Sequence, residues 1–151
     1  PKNTCAPECS AFSLPMEPGR GVFTVAAEHS NVLLVCTGGM FPETAEAAEL
    51  LADKGVSADI YNLRFLKPID EAFFLEKVKK YHAALFIEDG AYIGGIGYYL
   101  EGLVQKQLSD IRTEVCAFPD TVFMQGSRRD ILESAGLTGE QLAETAANLC
   151  Y

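Results

Sequence analysis

Asn31-Val32-Leu33-Leu34-Val35-Cys36-Thr37 is an apolar run closed by Gly38-Gly39. It reads as a strand covered on both faces, since a half-solvated strand would alternate apolar with polar. Outward from it the pattern repeats. Ala58–Leu63 and Ala83–Ile87 are strands of the same kind, the second running into Glu88-Asp89-Gly90, and Thr113–Phe118 is the last. Helices fill the gaps. Pro42–Lys54 carries Ala45, Ala48, Leu51 and Ala52 on one face, with Gly55 as its stop. Asp70–Tyr81 places Phe74, Val78 and Tyr81 on one stripe, and Gly95–Gln107 does so with Ile96, Leu100, Leu103 and Val104.

Alternating strands and helices imply right-handed crossovers and a parallel sheet with helices on both faces. Val22–Ala27 reaches Asn31 through about three residues, too few for a crossover, so it is expected as an antiparallel edge. Two short helices close the chain. Ser127-Arg128-Arg129-Asp130 is a weak capping box, and Thr138-Gly139-Glu140-Gln141 a full one. Leu142, Thr145, Ala146 and Leu149 then form a docking stripe. The fold class is three-layer α/β, with a mostly parallel five-stranded sheet and one antiparallel edge strand. The domain spans residues 21–151. Residues 1–20, with Pro1, Pro7, Pro15, Pro18 and Gly19, read as an irregular leader or interdomain linker.

The length of 151 residues fits one domain. Twelve Lys+Arg against 21 Asp+Glu give a net charge of −9, which repels phosphate backbones and anionic lipid. Neither nucleic acid nor membrane is therefore expected as a partner, and no apolar run is long enough to span a bilayer. The chain opens on Pro1 without a charged and apolar leader, and is expected to be cut from something longer. Five cysteines without a CxxC argue for a reducing compartment, the cytoplasm. Cys36 and Cys116 sit in apolar runs as small hydrophobes. Cys5 and Cys9 with His29 lack zinc spacing and a fourth ligand, so free thiols and no metal site are expected.

Gly94-Gly95-Ile96-Gly97 opens a helix after a strand, where parallel sheets bind anions. A dinucleotide fingerprint would need a third glycine where Leu100 stands, so the glycines are read as permitting close backbone approach. Thr37-Gly38-Gly39-Met40 is a second, weaker turn of that kind. Glu88 and Asp89 end a buried strand but, being adjacent, point to opposite faces and make a poor acid/base pair. A salt bridge or a contact to a partner domain suits them better. His29 and His82 are expected as surface or capping residues, and Arg128-Arg129 as solvated salt-bridge formers. No Walker loop, HExxH, EF-hand loop or nucleophile elbow occurs.

Three stretches carry a resemblance: Val32 through Met40, Asn62-Leu63-Arg64-Phe65-Leu66-Lys67-Pro68-Ile69-Asp70, and Glu88-Asp89-Gly90 through Gly97. From about Gly19 to Ala147 the chain resembles the C-terminal domain of transketolase-like thiamine diphosphate enzymes. Pro119-Asp120, Phe123-Met124-Gln125-Gly126-Ser127 and Gly136-Leu137-Thr138 are most similar to 1-deoxy-D-xylulose-5-phosphate synthases. The resemblance implies a bacterial parent enzyme that joins pyruvate to glyceraldehyde 3-phosphate with loss of CO2, on thiamine diphosphate and Mg2+. In that family the diphosphate motif Gly-Asp-Gly and the activating glutamate lie in the preceding domains, and no Gly-Asp-Gly occurs here. Catalytic, cofactor-binding and metal residues are accordingly none in this chain, and no cofactor is expected on it. Pro1-Lys2-Asn3 is similar to the stub of the family's Tyr-Pro-Arg-Gly-Asn segment and is given no role. The implied part is a non-catalytic domain that packs on the N-terminal and middle domains and in a homodimer. Glu88, Asp89, Gly94, Gly95 and Gly97 are its interface candidates. Other transketolase-like parents (a transketolase, a 2-oxo-acid dehydrogenase β subunit) are alternatives. So is a free-standing module binding an anion at Gly38-Gly39 or Gly94–Gly97.

Overall fold

In a computed structural model, residues 8–27 and 29–150 are described. Lys2 and Cys5 lie outside them. The strands are β1 (Val22–Val25), β2 (Val32–Thr37), β3 (Ala58–Leu63), β4 (Ala83–Ala91) and β5 (Arg112–Phe118). The helices are α1 (Phe41–Asp53), α2 (Glu71–Val78), α3 (Ile96–Gln107), α4 (Arg128–Ser134) and α5 (Gly139–Cys150). The sheet order is β1-β3-β2-β4-β5, with β1 antiparallel to β3 and every other pairing parallel. The expected architecture is thus observed, antiparallel edge included. The apolar run that decided the fold is the central strand, and Val35 pairs with Tyr61 on one side and Phe86 on the other.

Alternation along the strands builds two cores. Val32, Leu34, Cys36, Ile60, Leu85 and Ile87 face α1, α4 and α5. Leu33, Val35, Tyr61, Ala84 and Phe86 face α2 and α3, where Phe74, Val78, Leu100 and Val104 meet them. With both faces covered, a polar alternate position has no place in β2. Where polar residues do enter β3 they are satisfied: Asp59 accepts from the Ala27 N–H at 2.8 Å and the Tyr81 hydroxyl at 2.6 Å, and Asn62 donates to Cys36 Sγ at 3.5 Å.

Four details refine or correct the sequence reading. The inward stripe of α1 is Phe41, Thr44, Ala47 and Leu51, while Ala52 is exposed and Ala45 and Ala48 are half-buried. Thr44 can be buried because its hydroxyl donates to the Met40 carbonyl at 2.8 Å. The leader contains a 3-10 turn, Ser10–Ser13, whose Phe12 ring stands edge-on to Phe41 at 5.1 Å. Arg64 clamps it by donating to the carbonyls of Ala11, Leu14 and Pro15 at 2.8–3.1 Å. The Ser127 box is complete, since the Asp130 carboxylate accepts from the Ser127 N–H at 2.9 Å. Finally, β4 runs past Ile87 to Ala91, with a register break in its ladder to β5 between those residues.

Candidate functional site

In an open parallel sheet, ligands gather at the carboxyl edge where strand order reverses. Here that crevice lies between β2 and β4, because α1 carries the chain from β2 to β3 on one side and α2 brings it back to β4 on the other. The loops over it are Gly38-Gly39 after β2 and Glu88-Asp89-Gly90 in β4, where the ladder break re-aims side chains.

Glu88 turns toward α3. It is 5% exposed, and its carboxylate accepts from the N–H groups of Ile96 at 3.2 Å and Gly97 at 2.9 Å. Those amides are unpaired donors at a helix N-terminus, where a negative charge is also favoured by the helix dipole. The glycine turn exists to admit that carboxylate. A Cβ on Gly95 would collide with Glu88 Oε1, and one on Gly97 would stand 2.8 Å from Val115 Cγ1. Gly94 turns the chain with φ +80°. The close approach expected of these glycines is made within the chain, to its own glutamate.

Asp89 turns to the opposite face. Thr37 Oγ1 donates to it at 3.3 Å, and a Cβ on Gly39 would collide with its Oδ2. Arg128, opening α4, donates to the Gly39 carbonyl at 2.9 Å and pairs with Glu43. The hydrogen bond that Arg128 donates to Glu43 raises its guanidinium above its ordinary value. The five sequence candidates therefore fall into two groups: Glu88 with Gly95 and Gly97 on the α3 side, reached through the Gly94 turn, and Asp89 with Gly39 and Arg128 on the α1 side. Each turn holds a carboxylate of the chain itself. A diphosphate does not fit either one, because its charge would meet Glu88 or Asp89 where it needs donors.

Among the described residues at this edge, none is arranged as an activated nucleophile. Burial pushes the Cys36 thiol up to about 11 and the Cys116 thiol up to about 12, the opposite of what a reactive thiolate needs. Among the described residues no three His, Cys, Asp or Glu side chains cluster as metal ligands. His29 and His82 lie at the other end of the sheet, both exposed and both lining one cavity.

Sequence reasoning missed the bare apolar side chains of the carboxyl edge. Leu66 follows β3, Ile93 follows β4 at 73% exposure, and Tyr98 and Tyr99 stand exposed on α3. Beyond β5, Val122 and Met124 are 94% and 89% exposed. Leu66, Tyr99 and the Gly94-Gly95 turn border a groove of about 720 Å3. The available signal was large apolar residues inside turn-rich loops, where only a contact would favour them.

The family described as Transketolase, C-terminal domain, matches residues 21–142. A 1-deoxy-D-xylulose-5-phosphate synthase of Treponema pallidum (strain Nichols) is 47% identical over 146 residues, 97% of this chain and 23% of that protein. The synthase of Desulforudis audaxviator (strain MP104C) is 31% identical over 143 residues, 94% of this chain and 22% of that one. The chain thus spans under a quarter of the length of these relatives. A solved structure titled split gene transketolase, inactive beta4 tetramer, superposes with TM-score 0.81 at 28% identity, covering 97% of this chain and 48% of that one.

Proposed function

Because this chain belongs to the transketolase C-terminal-domain family, we propose that it is the C-terminal, non-catalytic domain of a 1-deoxy-D-xylulose-5-phosphate synthase. Its work is to pack on the N-terminal and middle domains of that enzyme and in its homodimer. The parent would condense pyruvate with glyceraldehyde 3-phosphate, releasing CO2, in the bacterial cytoplasm, and its thiamine diphosphate and Mg2+ would be held by the preceding domains. The observation that carries this reading is the carboxyl edge. The crevice where such sheets take ligands is stoppered by Glu88 and Asp89, while Leu66, Ile93, Val122 and Met124 stand bare on the loops around it. A surface that turns anions away and exposes apolar side chains suits a protein contact rather than a cofactor.

Glu88 has a supporting part in this. It fixes the N-terminus of α3 and so the platform from which Ile93, Tyr98 and Tyr99 project. The same carboxylate speaks against a free-standing module binding an anion at Gly94–Gly97. One observation favours a second parent: the likeness to the split gene transketolase, whose chain this one covers by 48%. Co-expression of the tagged chain with the upstream part of the Treponema synthase tests the first reading. Co-purification is expected, and Ile93→Asp with Val122→Asp should abolish it without unfolding the chain. Failure of the unsubstituted chain to co-purify would refute the docking role.

A further inference from the structure

We propose that residues 9–20 form a fixed strap, held by Arg64, that presents Leu14 and Met16 at the docking edge to the domain preceding this one. The proposal takes its partner from the docking role above and adds to it a second surface and a positioning residue. The strap crosses the carboxyl end of β3, from the start of α1 to the start of α2. At one end Cys9 and Phe12 pack against the core under α1, with the Phe12 ring 5.1 Å from that of Phe41. At the other, the Gly19 carbonyl accepts from the Asp70 N–H at 3.0 Å, and Arg20 donates to the Asp70 carboxylate at 3.0 Å. The Gly21 N–H then donates to the Tyr61 hydroxyl at 2.7 Å, which leads the chain into β1.

Between these anchors the strap belongs to no strand, so its carbonyls have no sheet partner. Arg64, the first residue after β3, supplies one: its guanidinium donates to the carbonyls of Ala11, Leu14 and Pro15. A planar fork of five donors suits three acceptors, where a lysine would offer a single point charge. Pro15 and Pro18 have their φ fixed before folding, which lowers the entropy lost in ordering the strap. With those carbonyls turned to Arg64, Leu14 stands 55% and Met16 70% exposed, and Leu66, two residues beyond Arg64, 55%. Bare apolar side chains on a tied segment fit a protein contact. The partner is the preceding domain, because the family is that of a C-terminal domain and this chain covers 23% of its Treponema relative. An ordered strap shortens the slack between the two domains and so raises the effective concentration of one at the edge of the other.

Hydrogen exchange followed by mass spectrometry reads the strap in the chain alone, and biolayer interferometry reads its docking to the upstream part of the Treponema synthase. Amides of the strap should exchange about tenfold or more slowly than in a free peptide of the same sequence. Arg64→Gln should erase that protection while β2 and β4 keep theirs, and should weaken docking about tenfold or more. Leu14→Ser with Met16→Ser, both at exposed positions, should keep the protection and weaken docking by a like factor. Exchange as fast as in the peptide overturns the strap, and protection that survives Arg64→Gln overturns the part given to Arg64. Docking unchanged by the paired serines overturns the presentation of Leu14 and Met16 while the docking role itself stands. An unsubstituted chain that does not dock refutes that role and the presented surface with it, and the exchange rates still decide whether the strap exists.

Discussion

Replacing Glu88 by alanine probes the stopper at the head of α3 most sharply. Its carboxylate accepts two backbone N–H groups, at 2.9 and 3.2 Å, from a buried position. A hydrogen bond to a charged group contributes about 1.5–3 kcal/mol, so the pair has an upper bound of about 6 kcal/mol. The adjoining groove of about 720 Å3 lets water reach part of the vacated space, which lowers the cost. We expect Glu88→Ala to destabilise by about 2–4 kcal/mol, a fall in Tm of roughly 5–15 °C for a chain of this size. Glu88→Gln keeps the shape and one acceptor oxygen. It loses the attraction of a full charge for the helix N-terminus, about 1–2 kcal/mol in a buried setting. Urea denaturation followed by circular dichroism separates the three proteins. A Glu88→Ala variant within about 0.5 kcal/mol of the parent, the range of ordinary surface changes, would refute the idea that Glu88 holds the turn.

Other expectations concern the caps, the acid limb and the core thiol. Thr138→Ala removes a hydroxyl that accepts from the Gln141 N–H at 3.4 Å and should cost about 1 kcal/mol in the same denaturation assay. Asp70 caps α2 by accepting from the Phe73 N–H at 3.0 Å and also pairs with Arg20, which together hold its carboxyl below the ordinary value. A depressed folded-state value means its contribution is complete above the usual carboxylate range of about 3.9 and is lost as pH falls through the folded value. Asp70→Asn should therefore flatten the acid limb of the stability–pH curve, and an unchanged limb would count against the cap. Cys36, buried with its thiol pushed up to about 11, should react with a thiol reagent near neutral pH only as fast as the protein opens. Rapid labelling of Cys36 would contradict its place in the core.

Much of the fold was legible because a central parallel strand must be apolar at every position. Val32 through Cys36 left no other assignment, and the short link from Ala27 to Asn31, too brief for a crossover, implied the antiparallel edge strand that β1 forms. The face of α1 was misread for a local reason. Thr44 looks polar in a sequence, yet its hydroxyl bonds the preceding turn and lets it face the sheet while Ala52 faces solvent. What holds the described part of the leader, Phe12 on Phe41 and Arg64 on three carbonyls, was not legible because it joins residues far apart in the chain.

At the site, the sequence located the glycine turn and put Glu88 and Asp89 on opposite faces of their strand. It could not join Glu88 to the turn. A carboxylate reaching forward eight or nine residues to a helix N-terminus depends on the ladder break in β4, which no periodicity encodes. The bare Val122 and Met124 were equally hidden, since exposure in a loop is a property of the folded surface.

Pyruvate decarboxylation with added thiamine diphosphate and Mg2+, followed as CO2 release, tests the central claim most directly. The chain by itself should give no turnover above a protein-free blank, and activity should appear only when the upstream domains of a synthase are supplied. Sustained CO2 release from the chain alone would contradict the account.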